Sequence, residues 1–267
     1  MKQTFTLLLI AAAMLFIGCS GSGSPQTPRA VKPLVVGMDA DYPPMTFRGS
    51  DGELQGVEAD FAHALGRELG RPVRIEVLPW AQLGDALIGG GVDIVMSGVS
   101  ITKYRASKAL FSKPYTQISQ MAVMKEDAAL PDTLHMGKGM RIGYQDHTTG
   151  AEMVKRVFPE AAMVPAVKMR DGIIALLEGK TDYFFADSPA VWYYTATNDL
   201  HGLMGWYVPY TQENLAWAIA PDNIELKQAV DKIVDKWKMN GFISKTLHQW
   251  MPVRIVTPKD NRPIHFD

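Results

Sequence analysis

The sequence predicts an α/β protein built from two similar lobes, and three observations carry that expectation. Short apolar runs alternate with amphipathic stretches from Leu34 onward, the rhythm of a mostly parallel sheet with helices on its faces. The alternation runs through the chain twice. One piece of it repeats closely: Ala86-Leu87-x-x-Gly90-x-x-Asp93 precedes one apolar run, and Ala175-Leu176-x-x-Gly179-x-x-Asp182 precedes another.

In the first round, Leu34 to Asp39 reads as a buried strand and Ser50-Asp51-Gly52 as a turn. Val57, Phe61, Ala64, Leu65 and Leu69 share one helical face, and Gly70 stops that helix. Val73–Leu78 is a strand, Ala81–Ile88 a helix and Val92–Met96 a strand. The second round has a strand at Arg141–Tyr144, a helix from Ala151 to Val157, a helix carrying Ile173, Ile174, Leu176 and Leu177, and a strand at Asp182–Ala186. Leu215–Ala220 reads as a strand returning to the first lobe, followed by an amphipathic helix from Lys227 to Trp237. The expected division is 34–120 plus 216–267 for lobe 1 and 121–215 for lobe 2, with crossings near Ser119–Val123 and Asn214–Ala218. Ligands of open α/β sheets sit beyond the C-terminal ends of the strands. That rule brings Asp39, Ser97, the turn after Tyr144, and Asp187 to one cleft.

The N-terminus reads as a targeting segment. Lys2 precedes an unbroken apolar run, Leu7 to Ile17, too short for a comfortable membrane-spanning helix. Residues 1–18 are therefore expected to be a signal peptide. Residues 19–33 begin at Cys19, the sole cysteine, and their Ser, Gly and Pro content suits a flexible tether. One cysteine excludes an internal disulfide and any cysteine-rich metal site. The six histidines are scattered without metal-ligand spacing, so neither metal nor cofactor is expected. A net charge of −1 offers no basic excess for a phosphate backbone, which argues against nucleic acid. Hydrophobic residues at 47% support a real core.

Two resemblances sharpen this picture. Leu15-Phe16-Ile17-Gly18-Cys19 resembles the lipobox of bacterial lipoproteins, with Phe16 in place of the usual Leu. It implies lipidation at Cys19 and an extracytoplasmic, membrane-anchored protein. Gly37 to Pro44, Gly56 to Ala62, Ser97-Gly98-Val99-Ser100-Ile101-Thr102-x-x-Arg105, and Phe111-Ser112-x-Pro114-Tyr115 resemble the polar amino-acid family of periplasmic binding proteins along nearly the whole mature chain. That resemblance implies the type II periplasmic binding protein fold, two α/β lobes joined by two crossing segments. It further implies a monomer that delivers an amino acid to the permease of an ABC transporter.

The family's site maps onto particular residues. By resemblance, Arg105 clamps the ligand's α-carboxylate; its planar fork suits bidentate pairing. Ser97, Gly98 and Ser100 surround the α-amino and carboxylate groups, and Asp187 pairs with the ammonium. Thr148 and Thr149 match a turn that completes the carboxylate site, although His147 and Gly150 depart from its pattern. Thr148 equally suits a helix N-cap, and the two roles are compatible. Trp80 is expected against the ligand side chain, with a core role as the alternative. Asp39 and Tyr42 match side-chain contacts, whereas Asp41 and Glu58 read as structural. A rival reading is a cyclohexadienyl dehydratase on the same fold, with Asp39, Asp187 or Glu152 as general acid. A third is a ligand-sensing module acting on a separate membrane partner.

Overall fold

Every residue of the first strand, β1 (Leu34–Met38), is buried, as an uninterrupted apolar run requires when helices cover both faces of a sheet. The computed structural model describes residues 31–129, 137–196 and 202–252. The expected signal peptide, Cys19 and the tether up to residue 30 lie outside these. After β1 come β2 (Asp41–Tyr42), β3 (Thr46–Arg48) and β4 (Leu54–Gln55), which form a small antiparallel sheet, then α1 (Val57–Leu69). β5 (Val73–Val77), α2 (Trp80–Ile88), β6 (Ile94–Val95), a one-turn α3 (Lys103–Ala106) and β7 (Leu110–Phe111) follow. β8 (Thr116–Ile118) then leads to β9 (Gln120–Lys125), β10 (Arg141–Gln145), α4 (Thr149–Val157), β11 (Ala162–Ala166), α5 (Met169–Leu177), β12 (Tyr183–Asp187), α6 (Ser188–Ala196) and β13 (Leu203–Trp206). The chain returns through β14 (Glu213–Leu215) and β15 (Ala218–Ile219) and closes on α7 (Ile224–Met239) and α8 (Phe242–Trp250).

Two five-stranded sheets result, ordered β5-β1-β6-β15-β7 and β11-β10-β12-β9-β13. In each, three parallel strands take the order second-first-third, and the fourth strand runs antiparallel to its neighbours. The sequence repeat has a physical cause here. Gly90 and Gly179 both adopt left-handed φ, +74° and +70°. Each ends its helix in a Schellman motif: Gly90 N donates to Leu87 O and Gly91 N to Ala86 O, as Gly179 N does to Leu176 O and Lys180 N to Ala175 O. The repeated aspartates also match. Asp93 accepts from Val35 N (3.0 Å) and pairs with Arg71 (3.2 Å). Asp182 accepts from Arg141 N (2.7 Å) and pairs with the Arg141 guanidinium (2.5 Å).

The lobes are joined by β8 and β14, which pair antiparallel. Within the expected crossing near Ser119–Val123, the chain pairs in the second sheet from Gln120 onward. The first lobe's core centres on Phe61, whose ring meets Tyr115, Trp217, Trp237 and Phe242 at centroid separations of 5.5 to 6.0 Å. Burying such rings supplies much of the lobe's stability and fixes the strand ends that build the site.

Candidate functional site

A cleft lies where the C-terminal strand ends of both sheets meet. All ten sequence-predicted residues line it: Asp39, Tyr42, Trp80, Ser97, Gly98, Ser100, Arg105, Thr148, Thr149 and Asp187. Gln120, Gln145, Met169, Phe185 and Ala186 also line it and are not among the residues the sequence predicts. Gln120 and Gln145 sit at strand ends, where polar residues in otherwise apolar strands are the available signal.

The first lobe's wall is held by local capping and one buried acid. Ser97 Oγ accepts from Asp39 N at 3.0 Å, and Asp39 Oδ1 accepts from Asp41 N at 3.2 Å. Gly98 has φ +63°, and a Cβ there would stand 2.3 Å from the Tyr42 ring. Only glycine satisfies both conditions. Its N–H donates to Glu58 Oε1 at 2.8 Å. Fully buried Glu58 also accepts from Tyr115 Oη and Trp217 Nε1, each at 2.8 Å. Burial pushes its carboxyl up, and the three donors oppose that shift. Glu58 thus ties α1, the Ser97–Gly98 turn and the returning chain together, the structural role its sequence position suggested.

Arg105 stands on α3, which Thr102 caps by accepting from Arg105 N at 3.1 Å. Its guanidinium donates to Ser100 O at 3.0 Å and lies over the Trp80 ring, 5.2 Å from the centroid. Trp80 opens α2 and is half-buried at the cavity rather than in the core. Its Nε1 reaches across the lobes to His147 O at 2.9 Å. Ser100 Oγ donates to Glu213 Oε2 at 2.5 Å, so that hydroxyl is tied to β14.

The second lobe contributes the start of α4 and the end of β12. Thr148 Oγ1 accepts from Ala151 N at 3.1 Å and donates to Gln145 O at 2.6 Å, so it caps the helix while lining the cavity. His147 holds φ +60°, a left-handed conformation that glycine adopts freely and that, among other residues, Asn, Asp and His adopt most often. Gly150 leaves room for Gln120: a Cβ there would be 2.7 Å from Gln120 Oε1. The Gln120 amide donates to Asp187 Oδ1 and to Thr149 Oγ1. Asp187 also accepts from Tyr42 Oη across the lobes. Glu152 lies in the first turn of α4, outside the cavity lining.

Two cavity carboxyls are strongly perturbed. Burial, reinforced by nearby Glu213, pushes Asp187 up to about 6 against hydrogen bonds from Tyr42 and Gln120. Burial, reinforced by Asp41, pushes Asp39 up to about 6. The Arg105 pKa is lowered by burial and supported by Asp187, Glu152 and Glu213; a guanidinium still stays charged. One cation and two titratable carboxyls therefore share a single cavity.

Comparison with known proteins accords with this geometry. The family of bacterial extracellular solute-binding proteins, family 3, matches residues 34–253. ABC transporter arginine-binding protein 1 of Escherichia coli (strain K12) is 28% identical over 226 residues, covering 84% of this chain and 92% of its own. An ancestral arginine-binding protein solved with arginine superposes with a TM-score of 0.78 at 26% identity, over 83% of this chain and 99% of its own. The ancestral amino acid-binding protein AncCDT-1, a precursor of cyclohexadienyl dehydratase, superposes with a TM-score of 0.74 at 31% identity, over 82% of this chain and 94% of its own. These neighbours share the two-lobed architecture of the present chain, which belongs to the bacterial extracellular solute-binding proteins, family 3.

Proposed function

We propose that this protein binds a free amino acid with a cationic side chain between its lobes and delivers it to the permease of an ABC transporter. The observation that carries this reading is one cavity lined by Arg105 from one lobe and Asp187 from the other. An amino acid is a zwitterion, so its ends need opposite charges. Arg105 with Thr148 and Thr149 takes the carboxylate; Asp187 takes the ammonium. Asp39 adds a second carboxyl, leaving a net negative lining that a cationic side chain neutralises. Relatives named for arginine support the same class. Tyr42 and Trp80 flank the side chain, and Ser97, Gly98 and Ser100 hold the polar end.

Residues 34–120 with 216–267 act as one lobe and 121–215 as the other, and ligand favours closure because contacts from both exist only then. The protein works as a monomer, held outside the cytoplasm by lipid on Cys19, and binds without turnover. Calorimetric titration with arginine, lysine, histidine and glutamine tests the main claim: absence of binding by all of them defeats it. Asp39 and Asp187, with pKa values of about 6, are protonated often enough near neutrality to act as general acids. AncCDT-1 gives that enzymatic reading a precedent in kinship. Incubation with prephenate decides it, since product formation would reject a pure binder. Mass spectrometry of the membrane fraction tests the anchor through a diacylglycerol adduct on Cys19.

A further inference from the structure

Helix α5 of the second lobe begins without a cap of its own. Its N-cap is Lys168, whose side chain makes no capping hydrogen bond and has no acceptor to offer. The first-turn N–H groups of a helix need acceptors. One of them, Arg170 N, donates to Asp41 Oδ2 at 3.2 Å. Asp41 belongs to β2 of the first lobe, 129 residues away in sequence. The adjoining residue, Tyr42, reaches Asp187 of the same second lobe, so one two-residue strand crosses the cleft twice. Burial pushes the Asp41 carboxyl up; the Arg170 amide and the Lys168 and Arg170 charges oppose that shift, and Asp171 reinforces it.

We propose that Asp41 is a positioning residue for the ligand site, capping α5 in trans and thereby latching the lobes in the closed, binding-competent arrangement. It does not line the cavity. It acts through Met169, the first residue of α5, which does, and through Asp39, whose carboxylate accepts the Asp41 N–H. A cap supplied by the same lobe would stabilise α5 whether the cleft is open or closed. A cap supplied by the opposite lobe stabilises only the closed form, so its energy passes directly into ligand affinity. The inference rests on the proposed amino-acid binding, and it concerns how that site is controlled.

The test uses the full-length protein and L-arginine as probe. Asp41→Ala is expected to weaken arginine binding about fivefold, the size of a lost helix cap. Asp41→Asn, which caps equally well without charge, is expected to stay within about twofold of wild type. Lys168→Ser gives α5 its own cap, so Asp41→Ala in that background is expected to change affinity by less than about twofold. Equal losses for Ala and Asn, or a fivefold loss that persists in the Lys168→Ser background, overturn the latch. Hydrogen exchange at the Arg170 amide, measured with L-arginine at saturation so that the lobes are closed, reads the cap directly. Faster exchange in Asp41→Ala supports it and unchanged exchange overturns it. Should wild type bind no amino acid, the functional reading falls; should wild type bind arginine while Asp41→Ala leaves both affinity and exchange unchanged, the latch alone falls.

Discussion

Tyr42, on the small antiparallel sheet of one lobe, donates its phenolic proton to Asp187, the last residue of β12 in the other. The bond holds the proposed ammonium acceptor in place and supports its charged form. Hydrogen bonds to charged groups contribute about 1.5–3 kcal/mol. Tyr42→Phe is therefore expected to weaken arginine binding at pH 7.5 by roughly tenfold or more while leaving the fold intact. Calorimetry gives the affinity and circular dichroism the fold; an unaltered affinity would remove Tyr42 from the site.

Among the described residues, Arg105 is the one cation lining the cavity. Its truncation leaves a carboxylate buried and unpaired, which costs about 2–5 kcal/mol. Arg105→Ala is expected to abolish detectable binding of every α-amino acid, and Arg105→Lys to restore little, because an ammonium lacks the planar fork. Titration of both variants checks this, and wild-type affinity in either contradicts the assignment.

Affinity should depend on pH with a definite sign. Asp39 and Asp187 titrate at about 6, above the ordinary aspartate value of about 3.9. As pH falls through 6 they take up protons and lose the charge that a cationic ligand needs. Affinity is expected to drop below about pH 6 and to be flat above it, with protons released on binding near the transition. The same raised values mean that the folded free protein holds more protons than the unfolded chain between about pH 4 and 6. Its intrinsic stability from these two groups is full below that window and declines as pH rises through it. Calorimetry in buffers of different ionisation enthalpy reads the proton release, and a pH-independent affinity would refute this account.

Glu58 is the acceptor for three buried donors, from Gly98, Tyr115 and Trp217. Glu58→Ala strands all three, at about 1–3 kcal/mol for each unsatisfied group, with partial relief from water entering the gap. A loss of about 3–5 kcal/mol of stability is expected in urea denaturation. A loss below about 1 kcal/mol would show that the donors find other acceptors.

Gly98→Ala tests the first lobe's wall. Its φ of +63° disfavours a side chain, and the added Cβ meets the Tyr42 ring. The left-handed conformation alone costs about 1–2 kcal/mol. The variant is expected to lose at least that much stability and also to bind arginine more weakly, because Tyr42 must move. Retention of both properties would place the Tyr42 ring elsewhere.

The sequence by itself determined the two-lobed architecture and most of the cavity. Helix stops at Gly70, Gly90 and Gly179 are local, set by left-handed φ within a few residues, so they can be read from the chain. The strand-end rule then places Asp39, Ser97 and Asp187 at one cleft, and the block from Ser97 to Arg105 carries its own spacing. Only the tertiary structure decided which of these groups touch. Asp187 is held by Tyr42 and Gln120, separated from it by 145 and 67 residues. Asp41 caps a helix in the opposite lobe, and the Ser100 hydroxyl is claimed by Glu213. Such partnerships depend on how two sheets face each other. Periodicity along the chain encodes which side of an element is buried and carries no record of what lies across the gap.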